Sequence, residues 1–600
     1  MRGTDRTAPD RHRTLYAVIE WSWDLLDSGA QSAMRRLCRL PGGFTVDTAS
    51  TMLGQDGFRL VDVLAALVNQ SLLTVVETDG NIRYRMLEMV REFGEQKLVA
   101  AESDAVDRSM WRWARRFAVE VEKLHARRVD EQLFDRVAAD VENLVWVLRG
   151  CAEAVHAGPP DRAAEAVDTM VTVFPVLGGF WMARGLHGEV MTWGGRLMAV
   201  LPPPPTDPDD DTRRRWQATV LASMAHLMMR RNLRGVATGR YYLRRLHRPQ
   251  RNYEQPTELM SACVLSPNMF AAVRYMVRGA RSETDQVRVV ALSALMNGHE
   301  NFGDLGRALS DGLALRELAK GQHNTWMSAM TQTSIAGIYA QQALWSSGIP
   351  FYREAIEALS RLGARDDELQ ARSALVAALV ADGRLDEAAA ELAVVADGWR
   401  PGDPDPQGNP EVVGGMMIGA AELELARGNV ESARVAYAQA VRLIDRDHPF
   451  GAEDPGMVML IGAAMIGLMR AGDGQRAGEY VSVLADGLHS MYGSLGWFDR
   501  PQAGASAMAI GYVLARTEPT SADGPRLLAL SAVLGARQDY ASLHHVHTQL
   551  AEVSGLSSDQ WADLSDEIRT MSRRQALDEV RAILASRRSA QARSDQVLRM

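Results

Sequence analysis

The chain has 600 residues, 46% hydrophobic and 24% charged, as expected of a soluble protein of several domains or one extended array. Its formal net charge of −9 gives no global drive toward nucleic acid or an anionic membrane. Cys38, Cys151 and Cys263 lie too far apart for a disulfide framework or a zinc site, and a reducing cytoplasm fits. The first residues carry no apolar core of a signal peptide. The longest apolar run, Gly456 to Met469, has 14 residues where a bilayer span needs about 20, so a buried helix and no membrane contact are expected.

In chain order, Leu15, Val18, Ile19, Ser22 and Leu26 fall at helical spacing and give one mostly apolar face. Asp27-Ser28-Gly29 breaks this helix, and Ala33, Met34 and Leu37 mark a second that ends before Pro41-Gly42-Gly43. Phe44 to Leu53 reads as a third, and Leu60, Val63, Leu64 and Leu67 as one face of a fourth. The period then changes. Leu72 to Thr78 is β-rich, Asp79-Gly80 is a two-residue hairpin signal, and Ile82, Tyr84 and Met86 alternate with Arg83 and Arg85. Helices, a hairpin and a closing helix predict a winged helix.

Ala105 to Ala154 reads as helical, with Trp111 and Trp113 near its start. Pro202 to Asp211, prolines followed by acids, predicts a semi-rigid exposed linker. From Thr212 the chain reads as stacked helix pairs. The clearest, Ala371 to Leu392, turns at Gly383, and the same turn recurs at Gly428 and Gly472. Ala388, Ala433 and Ala477 follow at intervals of 45 and 44 residues and are expected where paired helices approach closely. Ala308 and Ala355 look like weaker, irregularly spaced members. This is the pattern of a tetratricopeptide-like solenoid, with the loops Arg400 to Pro410 and Asp447 to Pro455 carrying extra length. The expected fold is mainly α. A winged helix (1–100) is followed by a helical connector and first repeat (101–201), the linker (202–211), repeats (212–502), and C-terminal repeats with a cap (503–600).

Several stretches carry a resemblance: WSWDLL (Trp21 to Leu26), LxxLPGGF (Leu37 to Phe44), LVNQSLL (Leu67 to Leu73) and YRMLEMVREFG (Tyr84 to Gly94). They resemble the winged-helix part of STAND-class signalling ATPases, in particular the large transcriptional regulators of the antibiotic regulatory protein (SARP) type. ADVENLVWVL (Ala139 to Leu148), Phe180 to Pro202 and Gly524 to Tyr540 resemble that family's connector, first repeat and closing repeat. The family's order is a DNA-binding domain, a P-loop NTPase, the winged helix and a helical array. Here the resemblance begins almost at Met1. The expectation is therefore a non-enzymatic regulatory and sensing portion without its own NTPase and DNA-reading domains. Its solenoid would bind a protein or effector on the concave face. An NTPase module would act in trans, or the chain would self-associate, and DNA would be reached only indirectly.

No GxxxxGK[ST] phosphate loop occurs, and the nearest look-alike, Gly472 to Gly478, falls on a repeat turn and lacks the lysine. The resemblance places a Met-His-Asp nucleotide sensor at Met86, Leu87 and Glu88. A leucine cannot donate to a phosphate, so Leu87 is expected to pack and no cofactor is expected. The helix Phe58 to Gln70 offers only Arg59, Asn69 and Gln70 to base edges, while Arg83 and Arg85 on the wing could reach phosphates without reading sequence. The segment Asp211 to Arg251 interleaves Arg213, Arg214, Arg215, Arg230, Arg231, Arg244 and Arg245 with Trp216, Tyr241 and Tyr242. That mixture suits a nucleic-acid or acidic partner surface, or pairing with the Asp207–Asp211 run. His544, His545 and His547 read as a helix surface without a second cluster to complete a metal site. No nucleophile elbow appears. Finally, Trp21 and Trp23 lie about 200° apart around one helix. Trp23, off the Leu15/Ile19/Leu26 stripe, is the expected docking residue.

Overall fold

A computed structural model of the chain describes residues 10–78, 81–125, 129–229, 232–250, 252–321, 324–447, 455–493 and 499–598. The chain divides into two compact units between Arg248 and Pro249.

The first unit opens with α1 (Asp10–Asp24), α2 (Ser28–Leu37), α3 (Val46–Leu53), α4 (Gly57–Asn69), β1 (Thr74–Thr78), β2 (Asn81–Arg85) and α5 (Glu88–Lys97). This is the expected winged helix. Asp27 ends α1 and caps α2, its carboxylate accepting from the Ala30 N–H at 2.7 Å. The strands pair antiparallel, Thr74 opposite Arg85, while the hairpin signal Asp79-Gly80 lies outside the described residues. Phe44 adds a third short rung, exchanging backbone hydrogen bonds of 2.9 and 2.8 Å with Tyr84. Gly43 is required for that rung. Its φ is +74°, and a Cβ there would lie 2.6 Å from the Tyr84 carbonyl oxygen.

The unit continues through α6 (Ala100–His125), α7 (Glu131–Ala138), α8 (Val141–Ala157), α9 (Pro160–Ala183), α10 (His187–Val200), α11 (Asp210–Met229) and α12 (Leu233–Leu246). No seam falls at residue 100, because α6 packs on α3 and Glu102 pairs with Arg35 at 3.0 Å. α9 is long and apolar enough to cross a bilayer, but 61% of that stretch is buried against α6, α8 and α11.

The stretch expected to be an exposed linker is exposed at most of its residues but anchored at two of them. Pro204 and Pro208 are buried, Tyr242 donates to the Leu201 carbonyl at 2.6 Å, and Arg245 donates to that of Pro204 at 3.2 Å. A proline segment cannot form its own hydrogen-bond ladder, so α12 supplies the donors that its carbonyls need. The division of the chain lies instead after Arg248.

The second unit holds α13 (Pro256–Leu265) and α14 (Met269–Gly279), then pairs of helices: α15 (Asp285–Asn301) with α16 (Leu305–Gly321), α17 (Thr325–Ala340) with α18 (Trp345–Arg361), and α19 (Arg365–Ala381) with α20 (Leu385–Ala396). There follow α21 (Pro410–Ala426) with α22 (Val430–Asp447), α23 (Pro455–Arg470) with α24 (Gly474–Glu479) and α25 (Val481–Gly493), and α26 (Arg500–Thr517) with α27 (Asp523–Leu534). The chain ends in α28 (Ala541–Thr548), α29 (Leu550–Val553), α30 (Ser558–Arg569) and α31 (Arg573–Leu598).

The first helix of each of five pairs ends on a left-handed residue: Gly303, Ala343, Gly383, Gly428 and Gly472. After each, the next N–H donates to the carbonyl five residues back, as Arg384 does to Leu379 at 2.9 Å and Asn429 to Glu424 at 2.8 Å. This is the Schellman turn. It recurs at intervals of 40, 40, 45 and 44 residues. Five residues beyond each turn stands a buried small residue: Ala308, Gly348, Ala388, Ala433 and Ala477.

The array is therefore more regular than expected. Ala308 is in register, and Gly348 takes the place assigned to Ala355. The non-glycine turn at Ala343 concealed that register. The loop between Ala396 and Pro410 carries the extra length of one interval, pinned by Gln439, whose amide donates to the Asp403 carbonyl at 2.7 Å. Residues 448–454 of the other expected long loop lie outside the described residues. Ala433→Leu should destabilise the unit by about 1–3 kcal/mol through overpacking. An unchanged melting temperature would remove this register.

The array meets itself. Arg573 donates to the carbonyls of Phe302 and Gly303 at 3.1 and 3.2 Å, Arg500 stacks over Phe302 at 5.0 Å, and α15 packs on α26. The helix α28 lies against α19, α23 and α26, its Leu543 and Val546 buried in the core they share. The surface that α19, α23 and α26 turn toward α28 is thus covered by the chain itself. His544, His545 and His547 consequently sit half-buried instead of on a solvated surface, with His544 edge-on to Trp345 at 4.9 Å.

Candidate functional site

Helix α1 is apolar on two sides, and packing selects between them. Tyr16, Ile19, Trp23 and Leu26 face the winged-helix core. Phe93 of α5 receives Tyr16 and Trp23 edge-on at centroid distances of 5.1 and 5.8 Å, and the Arg35 guanidinium lies 6.0 Å from the Trp23 ring. Trp23 is only 7% exposed, so it is a core residue and no docking anchor. The opposite stripe, Leu15, Val18, Trp21 and Leu25, is exposed, Trp21 to 67%. It is the exposed aromatic of this pair.

The wing arginines differ from each other. The Arg83 guanidinium lies 3.0 Å from the Asp140 carboxylate and donates to the carbonyls of Gly43 and Ala139 at 3.1 and 2.9 Å. Asn143, fully buried, joins the same cluster. Its Nδ2 donates to Asp140 at 2.9 Å and to the Gly43 carbonyl at 2.8 Å, while its Oδ1 accepts from the Gly42 N–H at 3.0 Å. Arg83 therefore ties the hairpin to the start of α8 and cannot also serve a phosphate. Arg85 is exposed.

On α4 the outward residues Phe58, Arg59, Val61, Asp62, Ala65 and Asn69 carry one positive and one negative charge. Phe58 is 90% exposed. Base readout requires a denser set of donors on such a helix.

At the sensor-like position, Met86 is buried but Leu87 is 62% exposed, contrary to the packed role expected of it. Leu87 precedes the first turn of α5, and only its carbonyl is engaged, accepting from the Arg91 N–H at 2.9 Å. The side chain of Glu88 pairs with Arg91 at 2.6 Å, which holds the Glu88 carboxyl below its usual range. Arg91 in turn lies 5.2 Å from the Trp146 ring.

The arginine-rich segment is largely engaged within its own unit. Arg213 is buried and pairs with Asp210. Arg214 meets Glu122 and Asp211, each at 3.0 Å. Arg248 reaches Asp207 at 2.9 Å. Arg245 stacks on Tyr241 at 5.9 Å, Arg215 is half-buried and Arg244 exposed. Arg230 and Arg231 lie outside the described residues. Trp216 is buried edge-on to Tyr242 at 6.1 Å, so neither ring is available to stack on a base. The acidic run Asp207–Asp211 neutralises these arginines at short range, which the sequence placed beside them. Burial also disfavours the thiolate at the three cysteines, pushing Cys38 and Cys263 up to about 12 and Cys151 well above its ordinary value. Among the described residues no group of three or more His, Cys, Asp or Glu side chains could hold a metal ion.

Comparison with known proteins agrees with this geometry at the amino-terminal end. Residues 26–99 match the winged helix-turn-helix domain family. Proteins of Mycobacterium bovis and Mycobacterium tuberculosis named as HTH-type transcriptional regulators are 37% identical over 101 residues, 16% of this chain. An uncharacterised Mycobacterium tuberculosis protein is 32% identical over 99 residues. The matches span only 12% and 25% of those relatives' lengths. A solved Pyrococcus horikoshii STAND protein with a tetratricopeptide repeat sensor overlaps 73% of this chain and 69% of its own, at 12% identity and a TM-score of 0.32. The chain is built as a regulator-like winged helix-turn-helix domain followed by a long helical-repeat region.

Proposed function

We propose that the chain is the regulatory and sensing portion of a SARP-type STAND transcriptional regulator, acting in the cytoplasm through protein contacts and without catalysis of its own. One observation carries the reading. A regulator-like winged helix presents, among the described residues, an exposed apolar stripe, Leu15, Val18, Trp21 and Leu25, on and just after its first helix. Exposed apolar patches of this kind mark interaction sites. The stripe would dock an NTPase module, and the repeat region would bias that docking according to its effector. Such a bias requires the effector to bind one conformation better than the other. Nucleic-acid contact through residues 211–251 is the weaker reading, because Arg213, Arg214 and Arg248 already have acidic partners.

Trp21→Ala should weaken association with a STAND-type NTPase module by about 2 kcal/mol or more, as loss of an aromatic anchor does. The melting temperature should be unchanged, since Trp21 supports nothing in its own core. Sedimentation and titration calorimetry of the variant against wild type decide the matter. Equal association would end the docking reading.

A further inference from the structure

The interior of the repeat array is polar as well as apolar, and the chain's own segment fills it. Gly535, left-handed at φ +72°, releases the backbone from α27, and Ala536 lies directly on α26. A Cβ on Gly504 would meet the Ala536 Cα at 2.9 Å. The Arg537 guanidinium enters beside Glu300 of α15 at 3.9 Å and bonds Asp539 at 2.8 Å, with Asp499 also acting on it. Farther along, the Ser542 N–H donates to Glu422 of α21 at 3.1 Å, and Arg470 of α23 donates to the Ser542 hydroxyl at 3.0 Å.

The fit is incomplete. Gln341 Oε1, just beyond α17, and His547 Nδ1 on the segment are buried without a hydrogen-bond partner among the described residues. Unsatisfied buried polar atoms weaken the hold of a segment.

We propose that the inner face of the array is a peptide groove occupied in cis by residues Ala536–Thr548. Its exchangeable ligand is a peptide that presents an arginine between Glu300 and Asp499. The inference deepens the sensing role proposed above and rests on it. A ligand that displaces the segment also withdraws Arg537 from the junction where α15 meets α26, so binding would loosen the closed array. Asp539, the acid that Arg537 bonds, leaves with the segment, and the ligand's guanidinium would take the place of Arg537 as the positive charge beside Glu300 and near Asp499. A neutral side chain would leave these two buried carboxyls without the positive charge beside them.

Two measurements on the full-length chain test this. In native-state hydrogen exchange, amides of 536–548 should open about tenfold or more faster than those of α21 and α23. A fluorescent synthetic peptide of residues 535–549 should bind a full-length chain loosened by Leu543→Ser and Val546→Ser. Its Arg537→Met counterpart should bind about tenfold more weakly. Exchange no faster than that of α21 and α23 would make the segment a fixed part of the core and overturn the proposal. So would equal binding of the two peptides, or no binding by either. If the loosened chain does not fold, exchange in the wild type decides alone. Trp21→Ala should leave these readouts unchanged, so failure of the docking reading remains distinguishable from failure of the groove.

Discussion

Arg83→Met is expected to destabilise the winged helix by about 3–5 kcal/mol, the cost of removing one partner of a buried ion pair. Asp140 is buried, and without the guanidinium its carboxylate keeps only the Asn143 amide at 2.9 Å as a side-chain partner. The carbonyls of Gly43 and Ala139 lose a donor as well. An exposed ion pair would contribute far less, about 0–1 kcal/mol, so the size of the effect separates the two environments. The double variant Arg83→Met, Asp140→Leu should recover part of the loss, because no uncompensated charge then remains. Urea unfolding of the three variants measures both effects. A single-variant loss below about 1 kcal/mol would place the pair in the exposed class.

Arg537→Met should be of similar size in the second unit, about 3–5 kcal/mol. Its guanidinium is the positive charge facing Glu300, Asp499 and Asp539. Burial already raises the Glu300 and Asp499 carboxyls above their ordinary values, and removing the arginine raises them further. The sign follows from linkage. A carboxyl whose folded-state pKa lies above its unfolded value favours folding below the unfolded pKa and loses that contribution as pH rises through the folded one. The variant's deficit should therefore be greatest at neutral pH and shrink as the solution is acidified through the raised carboxyl range. Melting temperatures of variant and wild type at several pH values report it. A deficit independent of pH would mean that these carboxylates are solvated.

The arginines show why site residues were harder to read than elements. Arg83, Arg213 and Arg214 have the composition of a phosphate-binding surface, yet each meets an acid. One of those acids, Asp140, is 57 residues away in sequence, and another, Glu122, is 92 residues away. Composition counts charges without stating their partners. The histidines of α28 were misplaced for the same reason, since their environment is made by other helices, among them α19 and Trp345 of α18 more than 150 residues earlier.

What the sequence determined by itself was the set of local decisions. The helix break at Asp27, the left-handed glycines at 383, 428 and 472, and the small residues five positions beyond them each depend on a few neighbouring dihedrals. No distant contact needs to be known. Tertiary structure decided which surfaces remained outside. Both stripes of α1 satisfy helical periodicity, and only Phe93, 70 residues beyond Trp23, drew Trp23 inward and left Trp21 exposed. Leu87 stayed outside because its backbone begins a helix while its neighbour Met86 enters the core. The closure of the array rests on Arg573 meeting the Phe302 carbonyl across 271 residues. Such a contact leaves no periodic trace, because its geometry accumulates from the small rotation at every helix pair between them.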